Sequence, residues 1–217
     1  MGNIFACIDD LTKSDARGTY DMSLVRSKKL PIIWLLGPPG SGRSTQANIL
    51  SEKLGYELIN VAELIKKEAL LETERAYIIK DVLDSKNRKV QDDLVVDLIK
   101  EEMLKNVNEA TGFIINGFPR TGKQAALFVK EIKDVDVVIY LYLETMKMVN
   151  RLREKEGSID EDAVKNDIFT YVKEVKDGTA KFATKVEKIY TDGLPSDVFQ
   201  KIESIIQLRM KPTQTIM

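Results

Sequence analysis

Residues 37–46, GPPGSGRSTQ, constrain the fold of this chain more than any other segment. They have the spacing of a phosphate-binding P-loop, G-x-x-x-x-G-[basic]-[Ser/Thr], with Arg43 at the position that usually holds lysine. The apolar residues 31–36 before the loop predict a buried strand, and residues 44–54 after it predict a helix. In that setting the glycines let successive N–H groups face phosphate oxygens, next to the positive end of the helix dipole. The segment therefore predicts a phosphate site, and the alternative is a plain turn between strand and helix.

From residue 30 onward, the chain alternates predicted strands and helices. Further strands are predicted at residues 56–59, 112–116, 137–143 and 185–190, and further helices at residues 61–71, 74–83, 92–104, 124–132, 146–154, 162–175 and 196–208. Apolar strands that alternate with helices indicate a parallel sheet covered on both faces. Residues 1–29 are polar without clear periodicity, so we expect an N-terminal tail followed by one α/β domain over residues 30–217.

Composition excludes several kinds of site. The chain has no histidine and a single cysteine, Cys7, which excludes His-based acid–base catalysis, His-ligated metals, an internal disulfide and a Cys-cluster zinc site. We therefore expect no metal ion held by protein ligands alone. The net charge of −1 gives no reason to expect nucleic-acid binding. No apolar run approaches the roughly twenty residues of a membrane-spanning helix, and no secretory signal is visible, so a cytoplasmic protein is expected.

A second motif, NGFPR at residues 116–120, ends another predicted strand. Ligands of parallel sheets bind beyond the carboxyl ends of the strands, and the P-loop leaves its strand at that same edge. There Arg120 would hold a second phosphate bidentately, with Gln124 four residues further on the next predicted helix. Taken alone, the motif is equally compatible with a turn that carries a solvated arginine.

With both motifs in view, the chain resembles the adenylate kinase family, in the form that lacks a large lid. That family has G-x-P-G-S-G-K-G-T-Q at its P-loop and D-G-[F/Y]-P-R at the second motif, followed by the glutamine found here as Gln124. The resemblance runs from residue 30 to residue 208. It implies a three-layer αβα fold with a five-stranded parallel sheet, a small helical AMP-binding insert and a short lid. It also implies phosphoryl transfer between ATP and AMP, with Mg²⁺, by a chain that is usually monomeric.

The resemblance also implies roles for individual residues. It implies ATP contacts for Gly37, Gly40, Ser41, Gly42, Arg43, Ser44, Thr45 and Arg151. It implies substrate contacts for Val61, Lys66, Val90, Arg120 and Gln124. It implies catalytic charge from Arg43, Arg120, Arg151 and Lys155. In this scheme Arg120 and Gln124 hold the AMP phosphate and adenine, Val90 lines the AMP adenine pocket, and Arg151 stacks on the ATP adenine.

Several departures from the family pattern affect the P-loop and the AMP site. Arg43 replaces the family's lysine, and its planar fork is larger than an ammonium group. Asn116 replaces the aspartate that orders magnesium-bound water, and a neutral amide should hold Mg²⁺ less well. The family's S-T-G-D stretch is NVAE at residues 60–63, so Val61 lacks the hydroxyl, and Lys66 replaces an AMP-site arginine.

The lid departs further. Residues 156–162 are short and contain no arginine, the position of the second lid arginine is Asp167, and Lys155 replaces another phosphate-binding arginine. One transition-state arginine is worth about 10³–10⁵ in rate. We therefore predict a nucleotide-binding protein whose phosphoryl transfer is weak or lost.

Two alternatives remain. In the first, the chain is an active nucleoside monophosphate kinase in which Lys147, Arg153 or Lys165 supplies the missing charge. In the second, it is a membrane-tethered scaffold that binds no nucleotide.

The membrane alternative comes from residues 1–7, MGNIFAC, which resemble an N-myristoylation signal. Removal of Met1 would expose Gly2, although Ala6 stands where the signal prefers Ser or Thr. A palmitoyl group on Cys7 would complete a stable anchor, because one myristoyl chain alone binds membranes only marginally. The sequence therefore predicts acylation of Gly2 and Cys7, against the alternative of a chance Met-Gly start and an inert cysteine.

Overall fold

A parallel sheet with helices on both faces forms the centre of the computed structural model, which describes residues 17–85 and 89–210. The strands are β1 (Ile32–Leu36), β2 (Glu57–Asn60), β3 (Phe113–Asn116), β4 (Val137–Tyr142) and β5 (Val186–Tyr190). The helices are α1 (Ser23–Ser27), α2 (Arg43–Leu54), α3 (Val61–Glu68), α4 (Glu74–Asp84), α5 (Asp92–Asn106), α6 (Gly122–Glu131), α7 (Thr145–Glu156), α8 (Glu161–Thr179) and α9 (Pro195–Met210). All strand pairs are parallel, in the order β2-β3-β1-β4-β5, which confirms the predicted five-stranded architecture.

The register brings the two motifs to one edge of the sheet. Leu35 of the central strand β1 lies opposite Asn116 of β3, and Asn116 lies opposite Asn60 of β2. The P-loop and the NGFPR turn therefore start side by side, at the carboxyl ends of neighbouring strands.

The continuous apolar run of β1 fills two separate layers, because alternate side chains of a strand point to opposite faces. On one face Trp34 packs edge-on against Phe118, Phe128 and Phe182, with ring centroids 5.6, 5.3 and 4.9 Å away. On the other face Leu35 belongs to a cluster of buried apolar side chains that includes residues of α2 and α9. A strand buried on both faces fixes the start of the P-loop firmly.

The insert and the lid are both small. Helices α3 and α4 form the helical insert between β2 and α5, and only residues 157–160 separate α7 from α8. Gly157, at φ +81°, follows α7, and Asp160 caps α8 by accepting from the N–H groups of Asp162 and Ala163. In this region the structure differs from the sequence prediction, because α8 continues to Thr179 and a 3₁₀ turn spans Ala180–Lys185.

The packed part of the domain begins before residue 30. Within the stretch expected to be a tail, Met22 and Val25 are fully buried around the short helix α1. Arg17 donates two hydrogen bonds to Asp97 of α5, at 3.0 and 2.8 Å. Two buried residues three positions apart make too short a pattern to be recognised as periodic. Gly2 and Cys7 lie outside the described residues.

Candidate functional site

The P-loop runs in close contact with α7 and β4, and its glycines make this possible. Gly40 and Gly42 have φ of +79° and +84°, which glycine adopts without strain. A Cβ on Gly40 would lie 2.5 Å from the carbonyl oxygen of Met148 in α7. A Cβ on Gly37 would lie 3.0 Å from the carbonyl oxygen of Leu141 in β4. At Gly37 and Gly40 the loop therefore lies too close to β4 and α7 to accommodate a larger side chain.

Two neighbouring cavities of about 290 and 210 Å³ adjoin the loop. Both are lined by Gly42, Thr45 and Arg151, and Arg151 donates from Nη2 to the carbonyl oxygen of Thr191 at 2.7 Å. The larger cavity is further lined by Ser41, Gln46, Thr191, Gly193, Pro195 and Val198. The smaller cavity is further lined by Pro38, Pro39, Gly40, Arg43, Ser44, Leu152 and Lys155. Neither lining includes an acidic side chain, so together they form a cationic cleft suited to an elongated anion.

Arg43 lines the smaller cavity, and its guanidinium is bonded on the side that faces α8. Its Nη1 donates to the carbonyl oxygen of Gly37 at 2.9 Å and to the hydroxyl of Tyr171 at 2.7 Å. The N–H of Gly37 donates to the same hydroxyl at 3.1 Å. The guanidinium also lies over Gly117, where a Cβ would be 3.6 Å away. Arg43 therefore stabilises the wall of the loop and does not extend as a free charge above it.

Arg120 stacks on the aromatic ring of the same tyrosine, Tyr171. Its Cζ lies 4.2 Å from the ring centroid of Tyr171, within cation–π range. Its Nε donates to Glu174 at 2.7 Å, and its Nη2 contacts the same carboxylate oxygen. Its backbone N–H donates to the side chain of Gln124 at 2.8 Å. Tyr171 thus joins the two arginines that the sequence assigned to two different phosphates.

The charge on Glu174 is stabilised by its partners. Burial raises the pKa of its carboxyl, but the hydrogen bond from Lys89 and the charge of Arg120 outweigh burial, and the pKa lies below its ordinary value. Glu174 is therefore an anion at neutral pH, held between two cations.

The place expected for magnesium offers only neutral oxygens. Asn116 is buried at the end of β3, and its Oδ1 has no hydrogen-bond partner among the described residues. Because no carboxylate lines the cleft, a metal ion there would have only neutral protein donors such as the hydroxyl of Ser44. The cleft fits a phosphate chain, but it does not fit a magnesium ion held by a protein carboxylate.

The residues assigned to the insert are in different environments. Val61 is buried in the core at the start of α3, and Val90 is half-buried against the same core. Lys66 is exposed on α3 and makes no ion pair with any described residue. Lys155 is exposed at the end of α7, where it lines the smaller cavity.

Sequence reasoning missed Tyr171 and Glu174, because the helix that carries them was considered only for charges at its lid end, Lys165 and Asp167. The available signal was the face of α8 that carries Tyr171, Glu174 and Gly178, spaced three and four residues apart. A Cβ on Gly178 would lie 3.1 Å from the carbonyl oxygen of Pro119, so this face contacts the NGFPR turn directly.

The three basic residues considered as replacements for lid arginines are all ion-paired. Lys147 pairs with Asp192, Arg153 pairs with Glu161, and Lys165 lies 3.3 Å from Asp162. Asp167 is exposed on α8. In this conformation none of the three stands as an unpaired cation over the cleft.

We expect Gly40→Ala to weaken ATP binding at least about tenfold, because the new Cβ would meet a backbone atom of α7 and the loop must move to relieve the contact. Gly157→Ala is the matched control. It has a similar φ of +81°, but no atom lies within 4 Å of the added Cβ. Calorimetric titration with ATP measures both variants, and equal affinities would contradict a steric role for Gly40.

The fold and the cleft define a P-loop protein of the three-layer αβα class. The chain belongs to the adenylate kinase family, since the family model described as adenylate kinase matches residues 35–211. Human adenylate kinase isoenzyme 5 is 32% identical over 182 residues, which cover 81% of this chain but 32% of that relative. Adenylate kinase isoenzyme 1 of Gallus gallus is 30% identical over 192 residues, covering 85% of this chain and 98% of that relative. The chain thus spans about a third of the isoenzyme 5 relatives and nearly all of the isoenzyme 1 relatives.

Proposed function

We propose that this chain binds adenine nucleotides and that its phosphoryl transfer from ATP to AMP is weak or lost. ATP occupies the cleft beside Arg151, with its phosphates over the P-loop, and AMP binds beside Arg120. The protein acts as a monomer on the cytoplasmic side of the membrane.

The observation that carries this proposal is the difference between the cleft and its surroundings. The cleft is open, cationic and free of carboxylates, as a site for a nucleotide triphosphate requires. Around it, Arg43 is bonded to the loop's own backbone and Asn116 is neutral. Phosphoryl transfer depends almost wholly on placing charge against the moving group, whereas binding does not.

Calorimetric titration with ATP and with AMP, each with and without Mg²⁺, tests the binding. We expect ATP to bind, and removal of Mg²⁺ to change its affinity little, because the protein adds no carboxylate to the ion. If millimolar ATP gives no heat of binding, the proposal is wrong and the scaffold alternative is favoured.

We also propose that Gly2 and Cys7 are acylated and hold the protein at a membrane surface. No helix in residues 17–85 and 89–210 is long and apolar enough to cross a bilayer. The proposal rests on the sequence MGNIFAC and on the need for two chains to anchor a protein stably.

Intact-mass measurement after expression in a eukaryotic host tests the acylation. We expect the mass of one myristoyl and one palmitoyl group on the wild-type chain. Gly2→Ala should lack the myristoyl group, and Cys7→Ser should lack the palmitoyl group only. An unmodified wild-type amino terminus would exclude the membrane attachment.

A further inference from the structure

The carboxylate of Glu174 occupies one of the two edges of Arg120 that can bind a phosphate. The Nε and Nη2 of Arg120 form one edge of the guanidinium that binds two oxygens at once, and both atoms contact Oε2 of Glu174. The stacking of the guanidinium on Tyr171, at 4.2 Å, fixes the plane in which that edge points. A phosphate that binds Arg120 through this edge must therefore replace the carboxylate.

The position of Glu174 is fixed by its neighbours. Its other oxygen, Oε1, contacts the ammonium of Lys89, and its side chain is 12% exposed, against 70% for Lys89. One turn before it in α8, the hydroxyl of Tyr171 accepts from the P-loop at Gly37. After it, Asp177 accepts from the backbone N–H of Gly122 at 2.9 Å. The helix is thus attached to both phosphate motifs, and Glu174 is held in place between them.

We propose that Glu174 is a specificity-determining residue that competes with the phosphate of a nucleoside monophosphate for Arg120. A monophosphate bound through Nε and Nη2 displaces the carboxylate, and one bound through the other edge of the guanidinium is repelled by it, so the site discriminates against AMP while the ATP cleft stays accessible. The argument depends on the proposed function, because it takes Arg120 to be the monophosphate site. In the ATP cleft, by contrast, neither cavity is lined by an acidic side chain, and the nearby Asp192 is paired with Lys147.

Glu174→Gln tests the competition, because it keeps the size of the side chain and removes its charge. We expect AMP to bind this variant about tenfold more tightly than it binds the wild type, whereas adenosine, which has no phosphate, binds both equally. ATP affinity should stay unchanged. Glu174→Ala should give the same gain in AMP affinity. Its result does not depend on how the amide of an introduced glutamine packs.

Glu187→Gln is the matched control for net charge. Glu187 accepts from Nε of Arg209 at 3.0 Å in a comparable ion pair between β5 and α9, so its loss should leave AMP affinity unchanged. If Glu187→Gln improves AMP binding as much as Glu174→Gln does, the effect is one of overall charge and the competition is disproved.

The titrations separate this inference from the proposed function. Wild-type protein that binds ATP, with Glu174→Gln and Glu174→Ala binding AMP no more tightly than wild type, would overturn the competition and leave the function standing. Wild-type protein that binds no ATP would overturn the proposed function itself, and with it the assignment of Arg120. Intact folding of each variant is checked by the emission of Trp34, the single tryptophan, which is fully buried.

Discussion

A coupled assay of ADP formation from ATP and AMP should give a turnover at least about three orders of magnitude below the roughly 1–100 s⁻¹ that is usual for kinases. The reason is the number of charges that the family resemblance leads us to expect at the transfer site and that this chain lacks. The four-residue connection between α7 and α8 carries no arginine, and Asp167 puts a negative charge where the resemblance implies a positive one. Loss of one transition-state arginine alone accounts for about 10³ in rate.

Four of the remaining cations are already engaged. Arg43 donates to Gly37 and Tyr171, and the candidate replacements Lys147, Arg153 and Lys165 are paired with acidic residues. Lys155 lines the smaller cavity and has no ion-pair partner among the described residues, so one lysine stands beside the P-loop where the resemblance places an arginine. Exposed ion pairs contribute little stability, so turnover that depends on breaking one of them would fall when its basic residue is replaced.

The control for the turnover assay is a mock purification from the same host without this chain, because its rate reports any kinase carried over from the host. Robust wild-type turnover that falls in Arg153→Ala or Lys165→Ala would contradict our prediction and identify the compensating residue. Turnover at the level of the mock purification would agree with a chain that binds nucleotide without transferring phosphate.

Asp97→Ala should lower the free energy of unfolding by roughly 3–5 kcal/mol, the usual effect of removing one partner from a buried charge cluster. The Asp97 side chain is fully buried and accepts from Arg17 and from Lys100, the latter at 2.9 Å. Glu131 completes the cluster by accepting from Arg17 at 2.9 Å. Without Asp97, Arg17 and Lys100 would share the single carboxylate of Glu131. The side chain of Lys100 is only 7% exposed to water, so its charge would be poorly compensated.

Urea unfolding followed by the emission of Trp34 measures this loss. Glu187→Ala, which breaks an exposed pair with Arg209, is the control and should cost at most about 1 kcal/mol. A value for Asp97→Ala no larger than the control would show that the cluster contributes nothing beyond a surface ion pair.

The same cluster should make stability sensitive to acid. Burial raises the pKa of Asp97, but hydrogen bonds from Arg17 and Lys100 outweigh burial, and the pKa lies below its ordinary value of about 4. A depressed folded-state pKa stabilises the fold above the unfolded-state pKa, and this contribution is lost as the pH falls through the folded-state pKa. Wild-type stability should therefore decline below about pH 4, and Asp97→Asn should flatten that decline.

Much of the architecture could be predicted from short-range patterns. The apolar run at residues 32–36 and the alternation of strands and helices were enough to predict a parallel sheet covered on both faces, and the family resemblance implied its five strands; the structure confirms both. The family was also evident, because the P-loop and NGFPR motifs are contiguous in sequence. Such signals are local: a strand, a helix or a loop is encoded within about ten residues.

The N-terminal segment and the network around Tyr171 were not predictable in the same way. Arg17 and Asp97 are 80 residues apart, and Arg43 and Tyr171 are 128 apart, so no local pattern links them. In the sequence alone, charged and aromatic residues at such positions cannot be distinguished from residues on a solvated helix face. Only the packing of the helices shows which of them are in contact.

The sequence by itself determined the fold and the family, and it carried the prediction that phosphoryl transfer is weak or lost, because each of these depends on residue identity at fixed spacing. Only the tertiary structure decided where the remaining charges point. Arg43 faces Tyr171, and Arg120 is held by Glu174, because α8 packs across both motifs. Ion pairs form between whichever groups the packed backbone brings within a few ångströms, and that proximity is a property of the assembled fold.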